Sequence, residues 1–156
     1  LEEAKEKKVN LSLPSLRIDN FSLDLMEKVQ TVRKSGITFA PEAGSQRLRD
    51  VIKKGITEQN IIDSASMIFK GGWTNVKLYF MIGLPTETEQ DLAGIGDLAH
   101  KVLGAYYAIP KEERRGMPRV SVSASTFVPK PFTPFQWRRR TTLKPFTKSS
   151  ALYAAV

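Results

Sequence analysis

Acid, base, hydroxyl and glycine recur in this chain at a few short turns, each directly behind a run of apolar or β-branched residues. Ser12 stands near the end of "VNLSL" and Arg17 follows it, and Glu42, Gly44 and Ser45 follow "ITFAP". Lys54 comes twelve residues after Glu42, Tyr79 to Glu87 spans "YFMIGLPTE", and Phe127 to Pro134 follows "RVSVSAST". If those runs are parallel strands, the turns are their carboxyl ends, which is where α/β proteins hold ligands. A carboxylate, cations, hydroxyls and aromatic rings together suit a zwitterionic, partly hydrophobic ligand better than a bare phosphate. There is no GxGxxG and no P-loop, so a nucleotide-phosphate site lacks its usual anchor. Gly83 would let a strand end turn tightly and let a ligand approach the backbone closely.

Other chemistries lack their residues. The 156 residues contain no cysteine, so they supply no disulfide and no thiolate for zinc or an iron–sulfur cluster. The single histidine, His100, falls inside a helical pattern at 88–108 and reads as an ordinary helix residue. No apolar run approaches the ~20 residues of a membrane span. The opening "LEEAKEKKVN" is charged and unlike a secretory signal. No membrane partner and a cytoplasmic location are expected. Because it opens on Leu1 rather than Met, the chain is expected to be a piece of a longer protein.

The net charge of +8 is unevenly spread. Residues 138–156 hold Arg138, Arg139, Arg140, Lys144 and Lys148 and no acid, whereas 1–137 is near balance. Two domains of behaviour follow: a body at 1–137 and a basic tail at 138–156.

The elements that must position the strand-end residues follow from periodicity and turn chemistry. "VNLSLP" (9–14) predicts a strand, and 22–36 an amphipathic helix capped by Ser22 and closed by Gly36. "ITFAPEAGS" (37–45) predicts a second strand entering a turn, and "QRLRDVIKKG" a short helix closed by Gly55. A helix with Thr57 as its N-cap ends at Gly71-Gly72. "NVKLYFMIG" (75–83) reads as a continuous apolar strand buried on both faces. Thr86 and Glu89 have capping-box spacing for the helix that runs to about Tyr107. "RVSVSASTF" (119–127) is a final, alternating strand, and the prolines of "VPKPFTPF" exclude a regular element. The expected fold is α/β, with about four parallel strands alternating with helices. Four strands are too few to close a barrel, leaving a small open domain or part of a larger barrel.

Four segments in this order resemble the later half of the radical S-adenosylmethionine (SAM) enzyme core. "SLPSLRIDNFS" is similar to its third strand, "APEAGSQRLRDVIKKG" to its fourth strand and helix, and "YFMIGLPTETEQDL" to the fifth-strand "GLPGET" segment. That last form is typical of the cobalamin-dependent and methylthiotransferase-like branches. "SASTFVPKPFTPFQW" resembles the sixth-strand segment. The resemblance covers about residues 9–137 and implies strands three to six of a (β/α)6 partial TIM-type barrel. It also implies a parent enzyme in which a CxxxCxxC loop holds a [4Fe–4S] cluster that binds SAM and cleaves it to a 5′-deoxyadenosyl radical. This chain lacks the cysteines, so it is expected to hold no cofactor firmly by itself and not to be catalytically competent alone.

Site roles carried over by the resemblance stand beside plainer ones. Glu42 is placed near bound SAM, or is a polar loop residue. Lys54 and Arg17 could each pair with the SAM carboxylate, or be a helix-end lysine and a surface arginine. Gly44 and Ser45 belong to the same cofactor-binding segment as Glu42. Ser12 and Tyr79 could offer hydroxyls, although Tyr79 reads better as packing. Gly83 would face SAM through its backbone, and Phe127 and Val128 would contact adenine, or be core. Thr86 and Glu87 read chiefly as capping residues. The tail past Trp137 departs from the family and reads as non-native. The partners expected are the missing first part of the barrel and a second copy, through the exposed edge of the 9–14 strand. Two rival readings remain: a nucleic-acid-binding module gripping RNA with its basic tail, and an unrelated small phosphate-binding α/β domain.

Overall fold

The computed structural model describes residues 36–138. The strand expected at 9–14, the helix at 22–36 apart from its closing Gly36, Ser12, Arg17 and the tail beyond Arg138 lie outside the described residues. Strand β1 (Ile37–Glu42) is followed by helices α1 (Gln46–Val51) and α2 (Glu58–Lys70). Strand β2 (Asn75–Ile82), helix α3 (Glu89–Tyr107), a 3-10 turn (Lys111–Glu113) and strand β3 (Arg119–Thr126) complete the order. The strands are parallel and lie in chain order, β1-β2-β3. Three strands are thus seen among the described residues, where the sequence pattern suggested four across the chain.

The main core lies on one face of this sheet. Ile37 and Phe39 of β1 and Val76, Leu78 and Phe80 of β2 pack there against Ile61 and Ile68 of α2 and Leu98 and Val102 of α3. Val120 and Val122 of β3 are only partly buried against it. Strand β2 is therefore not buried on both faces as expected. It alternates, with Lys77 and Tyr79 exposed between the buried Val76, Leu78 and Phe80. The period-2 geometry of a strand sends those two side chains to the face away from both helices. Tyr79, expected as packing, is 40% exposed, and the Lys77 ammonium lies 4.9 Å from its ring centre.

Local chemistry sets the helix starts. Thr57 caps α2 in a reciprocal box with Asn60. On α3 the box is Thr88 with Asp91, not Thr86 with Glu89. Both pairs have the required spacing, but Thr86 takes a left-handed backbone (φ 67°) and so belongs to the preceding turn. Helix α1 ends at Val51, earlier than expected. Lys53 (φ 52°) and Gly55 (φ 71°) then turn the chain towards α2. Among the described residues no helix is long and apolar enough to cross a membrane.

Gly104 is exposed within α3, and nothing lies within 4 Å of where its Cβ would be. Gly104→Ala is therefore expected to stabilise the fold by ~1 kcal/mol, because alanine loses less backbone entropy in a helix. A raised midpoint in thermal or urea unfolding is the expected result; a lowered one would mean that the space around residue 104 is filled.

Candidate functional site

Each strand delivers its carboxyl end to the same edge of the sheet. Glu42 closes β1, Ile82 stands opposite Thr126 at the ends of β2 and β3, and the Phe127 N–H donates to the Ile82 carbonyl at 2.8 Å. A small apolar cluster, separate from the main core, joins the three ends. Ala43, Leu48 and Leu84 are buried in it, with Met81 and Phe127 packed against them. The Phe127 ring also meets Phe135 edge to face, at 6.1 Å between centroids.

Glu42 and Lys54 are brought together at the end of β1. The Lys54 ammonium donates to Glu42 Oε1 at 3.2 Å, and both side chains remain partly accessible. Glu42 has a left-handed backbone (φ 69°), which is uncommon for a residue with a Cβ, and the β1–β2 register shifts just before it. The pair offers one cation and one anion beside the apolar cluster that begins at Ala43. Such a set can recognise a ligand carrying a carboxylate, an amine and an apolar body.

Gly44 and Ser45 are committed to architecture. A Cβ on Gly44 would stand 2.4 Å from the Asp91 carbonyl and 2.4 Å from the Ile95 nitrogen. The turn after β1 thus lies directly on α3. Ser45 is the N-cap of α1, accepting from the Leu48 N–H at 3.1 Å, and its hydroxyl donates to Asp91 Oδ1. Gly83 does turn the chain after β2 (φ 79°). Its N–H donates to Glu87 Oε2 at 2.6 Å, and the Glu87 N–H closes the same turn onto the Leu84 carbonyl at 3.1 Å. Burial pushes the Glu87 carboxyl above its ordinary value; the Gly83 and Leu84 amides pull it down, and the charge of Asp91 pushes it up. Val128 is exposed just past β3, and Tyr79 sits on the open sheet face, outside the strand-end cluster.

Three charged residues that the sequence did not single out hold this edge together. Asp91 has a side chain only 3% exposed. It accepts from the Ser45 hydroxyl, from the Arg47 guanidinium, and from the Thr88 hydroxyl and N–H at 2.7 and 2.8 Å. Burial alone would raise its pKa, but those hydrogen bonds outweigh burial and hold the carboxyl well below the usual carboxylate range. Arg47, half exposed, also donates to the Thr86 carbonyl at 2.8 Å. Arg49 is fully buried and is bonded to the carbonyls of Ala43 and Gly44. Burial pulls its guanidinium below the ordinary value, against the opposing charges of Glu58 and Asp50. The spacing of Thr88 and Asp91 was a usable signal for the first of the three. "RLRD" gave none for Arg47 or Arg49, since it reads as a solvated charged stretch.

No protein-family model matches the chain. An uncharacterised protein of Methanocaldococcus jannaschii is 41% identical over 128 residues, which is 82% of this chain and 26% of that protein. A second protein of the same organism, which carries the provisional name methylthiotransferase, is 29% identical over 84 residues. That match covers 54% of this chain and 18% of the relative. The chain thus spans about a quarter of the first relative's length and under a fifth of the second's.

Proposed function

We propose that this chain is part of a radical SAM enzyme and supplies part of its SAM- and substrate-binding face. The observation that carries this reading is the Glu42–Lys54 pair, 3.2 Å apart at the end of β1, next to the apolar cluster joining the three strand ends. The resemblance of the strand-end segments and the partial likeness to a protein named as a methylthiotransferase support the same reading.

The residues present fit SAM and do not fit the iron–sulfur cluster. SAM has an amine, a carboxylate, and an apolar adenosyl body. Lys54 would hold the carboxylate and Glu42 the amine, each by a charge-assisted hydrogen bond. Gly83 would allow close backbone approach, and Phe127 and Val128 would flank the adenine. The Phe127 N–H is already taken by Ile82, which leaves its carbonyl for that contact. Cluster thiolates have no source in these residues, and among the described residues no group of acids and histidines gathers to hold a metal. When bound in a complete enzyme, SAM and the cluster supply a radical. This chain's share is then to bind, orient and exclude water from the cofactor, and the strands that carry the cysteines must come from another part of the protein.

The direct test is a titration with SAM followed by amide NMR. Shifts are expected at Glu42, Ala43, Gly83, Leu84, Phe127 and Val128, with weak affinity in the absence of the cluster. Lys54→Met is expected to weaken binding about tenfold, equivalent to ~1.4 kcal/mol for the lost ion pair. Absence of any saturable shift at these amides would remove the reading.

A second reading has one observation in its favour. Phe132 and Trp137 are almost fully exposed, between Lys130 and Arg138. Exposed rings interleaved with cations suit stacking on single-stranded RNA. RNA shifting those residues, with SAM leaving the strand ends untouched, would put that reading first.

A further inference from the structure

We propose that Arg49 is a positioning residue, whose buried guanidinium fixes the Glu42–Ser45 turn so that Glu42 and Lys54 meet a ligand together. The inference rests on the reading of those two residues as cofactor contacts. Arg49 is 0% exposed. Its Nη1 donates to the carbonyls of Ala43 at 2.9 Å and Gly44 at 3.2 Å, directly after Glu42. Its own main-chain carbonyl accepts the Lys54 N–H at 2.9 Å. One residue therefore grips the chain at both members of the pair, by its side chain on one side and its backbone on the other. Nη2 reaches Gln46 Oε1 at 3.2 Å, and that same oxygen accepts the Glu58 N–H at 3.1 Å. The grip thus extends to the start of α2.

A residue present only to fill space would not be built this way. The cation is removed from water, it touches no carboxylate directly, and its Nε has no hydrogen-bond partner. Taking such a cation out of water is costly, and the hydrogen bonds it makes offset that cost only in part. What an apolar side chain cannot supply is the pair of donors that hold the Ala43 and Gly44 carbonyls. Stability and site geometry should therefore separate at this position.

The variants Arg49→Met and Arg49→Lys, compared with the unaltered chain, make the test. Arg49→Met is expected to melt within a few degrees of the parent temperature, because relief of the buried charge offsets part of what the Ala43 and Gly44 carbonyls lose with their donor. Its 15N order parameters at Glu42–Ser45 should fall from the rigid value of ~0.85 to below ~0.6, and its SAM affinity should drop about tenfold or more. Arg49→Lys should recover part of that order, because an ammonium can still reach a carbonyl. The inference is overturned if Arg49→Met fails to fold or melts well below the parent with order lost in β2 as well. It is also overturned if order at Glu42–Ser45 does not change. If the unaltered chain shows no affinity for SAM, the cofactor reading fails, and the order parameters still decide the role of Arg49.

Discussion

Replacing Asp91 by alanine is expected to cost ~3 kcal/mol and to lower the melting temperature by roughly 10 °C. The carboxylate is almost completely buried and accepts from Ser45, Arg47 and Thr88, so its loss strands donors from two turns and a helix start at once. Breaking a buried ionic network by removing one partner typically costs ~3–5 kcal/mol. The lower end applies here because Arg47 is 50% exposed and water can replace part of what it loses. Asparagine should rescue little, since its NH2 group would have to face another donor. Arg47→Met should cost distinctly less, about 1 kcal/mol, for the same reason of exposure. The folded state lowers the pKa of Asp91, so this stability is present above the ordinary aspartate value of 3.8 and is lost as pH falls below it. Urea unfolding of the parent and of Asp91→Ala from neutral to acid pH checks both statements. A variant that melts within a degree or two of the parent, or a gap between the two that does not narrow in acid, would refute the role given to Asp91.

Gly44→Ala is expected to be comparably damaging, by ~3 kcal/mol, through sterics alone. Its Cβ would lie 2.4 Å from both the Asp91 carbonyl and the Ile95 nitrogen, and 2.7 Å from the Gly94 carbonyl carbon. All three are main-chain atoms of α3, so no flexible side chain can give way and the helix must lift off the β1 turn. Overpacking of this kind costs ~1–3 kcal/mol, and more where the obstacle is backbone. Gly55→Ala supplies the control. Gly55 has φ 71° with nothing within 4 Å, so alanine there meets only the left-handed backbone penalty, ~1 kcal/mol. Unfolding midpoints should rank the parent first, Gly55→Ala next and Gly44→Ala last. Equal losses would mean that the contact with α3 does not limit residue 44.

Much of the fold was legible in the sequence. The caps and breakers at Thr57, Gly71 and Gly83, together with apolar periodicity, mark where elements begin and end. The expected strands at 37–45, 75–83 and 119–127 correspond to β1, β2 and β3, each a little shorter than its pattern. Glu42 and Lys54 were each named from the sequence, one near bound SAM and the other for its carboxylate, but that the two side chains meet each other is seen only in the fold. Two readings were off by a local ambiguity. Thr86 and Thr88 have equally good capping partners, and only the backbone turn at Thr86 separates them. "KLYFMI" looks continuously apolar until Tyr79 and Lys77 are seen side by side on the face opposite the helices.

By itself the sequence determined the order of strands and helices among the described residues, which polar residues follow each strand, and the absence of thiolates. These depend on residues close together in the chain, where periodicity and turn preferences act. Only the tertiary structure decided which side chains at that edge are committed to architecture. Ser45 meets Asp91 from 46 residues away and Arg47 meets it from 44, so neither partner can be read from local pattern. The same holds for Gly44, whose missing side chain matters only because α3 lies against it. Arg49 is the sharpest case, a charge in a polar-looking stretch that folds back onto the turn after β1 and is taken out of water. Burial is set by which surfaces meet, and that is a property of the packed chain, not of its neighbours in sequence.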